Sequence, residues 1–193
     1  MRGRPMLIVM AGLPGTGKSA IAARLGAALA AAVIDKDRIR AALFGPDHIE
    51  YSTQQDDFCM AIMLQAAAYL LDKHREQHII LDGRTFSRTY QVELLDQFAA
   101  QRDIPLKIIQ CICADDVALE RLTRDIATNA HLADNRTFSL YLTIKANFEA
   151  IREPKLSLDT DTDLAACVAE CLAYIRANGP TTPLLPTAKT SRR

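Results

Sequence analysis

Eight consecutive residues constrain this chain more than any other stretch: Gly12-Leu13-Pro14-Gly15-Thr16-Gly17-Lys18-Ser19 spells G-x-x-x-x-G-K-[ST]. The run Met6 to Met10 before it is apolar and β-rich, and Ile21, Leu25 and Leu29 after it recur every fourth residue, as on a helix. Four specified positions match by chance in roughly one chain of this length in a hundred, before any demand for a flanking strand and helix. The glycines let the backbone curl until its N–H groups converge on phosphate oxygens, and the helix N-terminus adds a favourable dipole. Lys18 neutralises charge on β- and γ-phosphates, and Ser19 offers a hydroxyl to Mg²⁺. The expected ligand of Gly12 to Ser19 is therefore ATP with Mg²⁺, with Lys18 also acting in catalysis.

A loop of this kind needs a strand to launch it, and the rest of the chain supplies an α/β pattern. Short apolar runs at Met6–Met10, Ala32–Ile34, His78–Leu81, Leu106–Cys113 and Lys155–Leu158 alternate with longer helical stretches. Runs that are apolar without alternation suit parallel strands covered on both faces. Thr53 can cap a helix carrying Met60, Met63, Leu64 and Leu70. Asp125 to Arg136, with Asn129, His131, Asp134 and Asn135, is a polar excursion between two helices and a candidate lid, taken broadly as residues 121–140. The expected organisation is one domain over 1–178 and a disordered tail over 179–193, where prolines and threonines replace helical periodicity.

Composition narrows the remaining classes. With 49% hydrophobic residues among 193, the chain can bury a real core. Its 23 basic and 23 acidic side chains cancel, so nothing advertises a polyanionic partner, although nucleic acid is not excluded. Five cysteines, odd in number and set in apolar patterns, read as core thiols of a reducing compartment. Arg2 and Arg4 before an apolar run resemble a secretory signal, but the glycines and Lys18 interrupt it. No run reaches the length of a membrane span. The expectation is a cytoplasmic protein.

Three further groups carry candidate chemistry. In Asp35-Lys36-Asp37-Arg38-Ile39-Arg40, at the end of the second strand, Asp37 and Arg40 share a helical face. Asp37 is placed to accept a proton from an acceptor hydroxyl and Arg40 to hold an anionic part of that acceptor; the other reading is that Asp35 or Asp37 merely caps the helix. Ile79-Ile80-Leu81-Asp82 ends a strand in a carboxylate suited to Mg²⁺ or its waters, though Asp82-Gly83 is also a turn dipeptide. No glutamate follows Asp82, which weakens a hydrolytic reading, and Arg84 and Arg88 lie just downstream. Arg121, Arg124 and Arg136 flank the lid and can stabilise a transferring phosphoryl group, or else pair with Asp115, Asp116 and Glu120. Tyr51 and Ser52 are candidates for lining the acceptor pocket.

Together these residues resemble the small P-loop kinases of the nucleoside-monophosphate-kinase type, a group that includes adenylylsulfate kinases, the kinase domain of phage polynucleotide kinase and zeta-type toxins. The resemblance runs from about Met6 to Ala177 and rests on Gly12 to Ser19, Asp37 with Arg40, Asp82-Gly83-Arg84 with Arg88, the Glu120-Arg121-Leu122-Thr123-Arg124 helix and Leu158-Asp159-Thr160. It implies a three-layer α/β P-loop NTPase fold with a five-stranded parallel sheet of order 2-3-1-4-5, helices on both faces and a helical lid. It implies Asp37 as general base, Arg40 at the acceptor, Arg121 and Arg124 around ATP, and a base pocket near Asp159. The run Asp82-Gly83-Arg84-Thr85 departs from the corresponding loop of adenylylsulfate kinases. The implied activity is transfer of the γ-phosphoryl group of ATP to a hydroxyl of a small-molecule or nucleotide-like acceptor. A nucleotide-dependent binding switch or slow ATPase, and a kinase of nucleic-acid 5′ ends, are the alternatives.

Overall fold

A computed structural model describes residues 4–128, 135 and 137–177. Arg136, His131, most of the expected polar excursion and the expected tail lie outside the described residues. The strands are β1 (Leu7–Ala11), β2 (Ala32–Asp35), β3 (Ile79–Asp82), β4 (Leu106–Ile112) and β5 (Leu156–Asp159). The helices are α1 (Lys18–Leu29), α2 (Lys36–Leu43), α3 (Thr53–Lys73), α4 (Thr89–Gln101), α5 (Asp115–Thr128), α6 (Phe138–Ala146) and α7 (Leu164–Arg176). All strand pairings are parallel, and the sheet order is β2-β3-β1-β4-β5, as the resemblance implies. Each expected strand exists, with ends displaced by at most one residue.

The sequence of β1 shows why it is central. Leu7, Val9 and Ala11 point into one core with Met63, Ala67 and Leu95 of α3 and α4, while Ile8 and Met10 point into another with Ile21, Leu25, Cys167 and Cys171 of α1 and α7. A strand whose two faces are both buried must be apolar throughout, which is what Leu7 to Ala11 shows. The cysteines fit this: four of the five are buried and all are free, and burial pushes the Cys111 and Cys171 thiols up to about 12, so they stay neutral fillers of the core.

The cap of α3 differs from expectation. Ser52, not Thr53, is the N-cap, its hydroxyl accepting from the Gln55 N–H at 3.1 Å, so Thr53 opens the helix. Parallel pairing brings every strand's C-terminal end to one edge, where Asp35 stands opposite Asp82 and Ile112 opposite Asp159. The loop after β1 lies at the middle of that edge. Among the described residues no helix is long and apolar enough to cross a membrane.

Candidate active site

The loop is shaped by glycine where a side chain would collide. Gly12 has φ +126°, and a Cβ there would lie 2.3 Å from the Cys111 carbonyl oxygen, so only glycine lets the chain leave β1 against the end of β4. The Gly12 N–H donates to the Thr85 carbonyl at 3.0 Å, tying the loop to the segment after β3. Lys18 is buried and folds back over the loop, its Nζ donating to the carbonyls of Gly12 at 2.8 Å and Leu13 at 2.7 Å. These are neutral acceptors, which phosphate oxygens outbid once a phosphate chain arrives, because charge-assisted bonds are roughly twice as strong.

Asp82 ends β3 beneath the loop, 2% exposed. Burial pushes its carboxyl above the usual range, while a hydrogen bond from Ser19, the Lys18 charge and the Gly83 N–H pull it back down. Its Oδ1 is buried with no hydrogen-bond partner. An orphaned carboxylate oxygen beside a serine hydroxyl is a hard-oxygen donor set that fits Mg²⁺, so the two expected metal residues come together.

On the other side of the loop, Arg121 on α5 reaches β5. It donates to the Thr160 hydroxyl at 3.1 Å and carbonyl at 2.7 Å, and the same hydroxyl lies 3.1 Å from the Thr16 carbonyl. Arg121 is therefore fixed at the loop by a buried threonine, not by Asp115, Asp116 or Glu120. Asp115 instead takes Tyr141 at 2.6 Å and Lys145 at 2.6 and 2.7 Å, joining α5 to α6. Arg124 is exposed and lines the cleft. Asp159 is exposed and caps its own turn through the Asp161 N–H at 2.9 Å; Thr160, Thr162 and Leu164 face the cleft at that end.

A cleft of about 960 Å³ runs from the loop to α2, α3 and α6. Asp35 caps α2 by accepting from the Arg38 N–H at 2.8 Å, which leaves Asp37 to face the cleft. Asp37 Oδ1 accepts from Arg40 at 2.7 Å and lies 3.5 Å from Lys36 Nζ. Arg40, 2% exposed, also pairs with Asp56 and stacks over Tyr51 at 5.0 Å. Lys36 reaches Asp56 at 2.8 Å, and buried Arg84 pairs with Asp57. Arg88 is exposed and pairs with Glu149 at 3.2 Å.

Asp56, Asp57 and Glu149 carry much of this geometry without standing out in the sequence, and Thr160 stood out only as part of Leu158-Asp159-Thr160. An acidic pair in the first turn of a helix reads as a complement to the helix dipole. The partners that give Asp56 and Asp57 their role lie 16 to 27 residues away.

The AAA domain family model matches residues 7–148. No curated protein matches the sequence. Among solved structures, an APS kinase of Mycobacterium tuberculosis, solved with AMPPNP and APS, is similar over 90% of this chain and 99% of its own, with 19% identity and a TM-score of 0.69. A gluconokinase from Sinorhizobium meliloti is similar over 90% of this chain and 93% of its own, with 20% identity and a TM-score of 0.62. A sugar kinase from a Janibacter species covers 89% and 94%, with 16% identity and a TM-score of 0.61. At these identities the likeness is one of fold, and it spans about nine tenths of the chain. The chain belongs to the AAA domain family, built on the P-loop fold that these small kinases share.

Proposed function

We propose that this protein is an ATP-dependent kinase that moves the γ-phosphoryl group onto a hydroxyl of a small-molecule acceptor. The observation that carries this reading is that Asp37 faces the same cleft as Lys18 and Ser19, held there by Arg40 and Lys36. A motor or switch needs the loop but not a carboxylate fixed across from it.

In this reading the phosphates of ATP lie on the N–H groups of Gly15 to Ser19, and Lys18 exchanges its loop carbonyls for phosphate oxygens. Ser19 and Asp82 hold Mg²⁺, which when bound draws charge from the β- and γ-phosphate oxygens. Arg121, kept beside Gly17 by Thr160, adds positive charge at the transferring group, and Arg124 reaches in from α5. The acceptor hydroxyl gives its proton to the Asp37 carboxylate as its oxygen forms the new bond to the γ-phosphorus. The bond from that phosphorus to the β,γ-bridging oxygen breaks, and ADP leaves with the electron pair. Fold neighbours that act on gluconate and on APS, by name, support a small-molecule acceptor.

The test is acceptor-dependent ADP release. Lys18→Ala should lower kcat/KM by roughly 10²–10³-fold, and Asp37→Asn should lower kcat by roughly 10²–10⁴-fold with ATP binding retained. Undiminished acceptor-stimulated turnover in Asp37→Asn would remove Asp37 from the chemistry.

A further inference from the structure

The two halves of the cleft handle charge differently. On the loop side Lys18 donates to the carbonyls of Gly12 and Leu13, with its charge also felt by the buried Asp82 carboxyl, and Arg121 donates to the hydroxyl and carbonyl of Thr160. Such contacts yield readily to a phosphate chain. On the opposite side each cation among the described residues is already answered by a carboxylate. Arg40 lies between Asp37 and Asp56, Lys36 reaches both, and Arg84 holds Asp57. Lys36, Arg40 and Arg84 are 7%, 2% and 4% exposed and the Asp37 side chain is 12% exposed, so water screens the Arg40–Asp37 pair little, while the Asp56 and Asp57 side chains, 26% and 40% exposed, keep a wet edge.

An anionic acceptor entering that half has two options, and both are unfavourable. It can draw a buried cation from its carboxylate, which leaves that carboxylate uncompensated, the costly way to break a buried pair. Or it can stay among Asp37, Asp56 and Glu149 and meet like charge. A neutral molecule bearing hydroxyls meets neither obstacle. Its O–H groups donate to the carboxylates, and its oxygens accept from the neutral groups of the same wall, among them Thr53, Ser87 and Asn147. In this reading Arg40, expected to hold an anionic part of the acceptor, instead commits its two terminal nitrogens to Asp37 and Asp56, and only its buried Nε is left without a hydrogen-bond partner.

Resting on the kinase reading for the identity of the site, we propose that the acceptor is a neutral polyhydroxyl compound and that the paired wall selects against carboxylated and phosphorylated analogues. Transfer to it follows the proton and phosphoryl balance given above.

The experiment measures binding to the full chain by calorimetry, with Mg²⁺ and a non-hydrolysable ATP analogue present. The ligands are matched pairs of one skeleton: an aldose and its aldonic acid, a hexitol and its phosphate, a nucleoside and its 5′-monophosphate. The neutral member should bind at least roughly tenfold more tightly in the pair that fits best. Tighter binding by the anionic members, or binding by neither member of any pair, overturns the proposal. Asp56→Asn, which leaves the wall one positive charge in excess, should move the preference toward the anionic member by roughly tenfold; an unchanged ratio in a folded variant also overturns it. If Asp56→Asn fails to fold, the wild-type pairs still decide. Phosphoryl transfer is scored separately. A neutral ligand that binds and gains no label defeats the kinase reading while upholding the charge selection, and an anionic compound that gains label does the reverse.

Discussion

Asp82 sets folding against chemistry within a single side chain. Its burial disfavours the charge that Mg²⁺ requires, and only the Ser19 hydroxyl, the Lys18 charge and one backbone N–H offset that cost. Isosteric Asp82→Asn removes the penalty with the ligand. The expected outcome is a Tm without nucleotide equal to or above that of the wild type, together with loss of the extra Tm that Mg²⁺ adds to ATP binding. A variant that unfolds without nucleotide, or one that keeps its Mg²⁺-dependent shift, contradicts the assignment. Thr160 illustrates the opposite economy. One small hydroxyl just past β5 lies against the end of β4, the loop and Arg121, so a threonine positions a cation that the sequence shows only as one arginine among many.

At the scale of elements, the contact between α5 and α6 is electrostatic where it meets solvent. The Lys145 ammonium and the Tyr141 hydroxyl hold the Asp115 carboxyl below its ordinary value of 3.8, and burial with the Asp115 charge raises the Tyr141 phenol. A depressed carboxyl stabilises the fold fully above its unfolded value and loses that contribution as pH falls through the folded one. Amides of α6 should therefore exchange hydrogen faster as pH drops below about 3.8, once corrected for the intrinsic rate. Asp115→Asn should show fast exchange already at neutral pH and a smaller acid step; identical profiles for the two proteins would deny the pair this role. The elements themselves were mostly legible. Five apolar runs gave five strands because both sheet faces are covered, and local patterns report that directly. Strand ends slipped by at most one residue, and Thr53 yielded the cap to Ser52, because neighbouring hydroxyls look alike until backbone angles choose between them. Gly12 to Ser19, Asp37 and Asp82 were legible because strand ends and a glycine loop announce themselves along the chain. Asp56, Asp57 and Glu149 were not, since their meaning comes from partners on other elements.

Across the whole molecule, neutrality has a local counterpart. The equal totals of basic and acidic side chains could hide a basic groove, yet among the described residues the half of the cleft away from the loop is itself balanced, pair by pair. That disfavours a nucleic-acid 5′ end, whose backbone needs cations free to replace its counterions. It leaves a fold shared with small-molecule kinases and a cleft with phosphate-binding groups at one end and a positioned carboxylate at the other. In the proposed reaction these two ends act on one phosphoryl group. Incubating the protein with γ-labelled ATP, Mg²⁺ and a metabolite extract, then identifying what gains label, tests it most directly. Label should enter a discrete small molecule with the wild type and be lost with Asp37→Asn; label appearing only as inorganic phosphate, or unchanged labelling in that variant, would contradict transfer across this cleft.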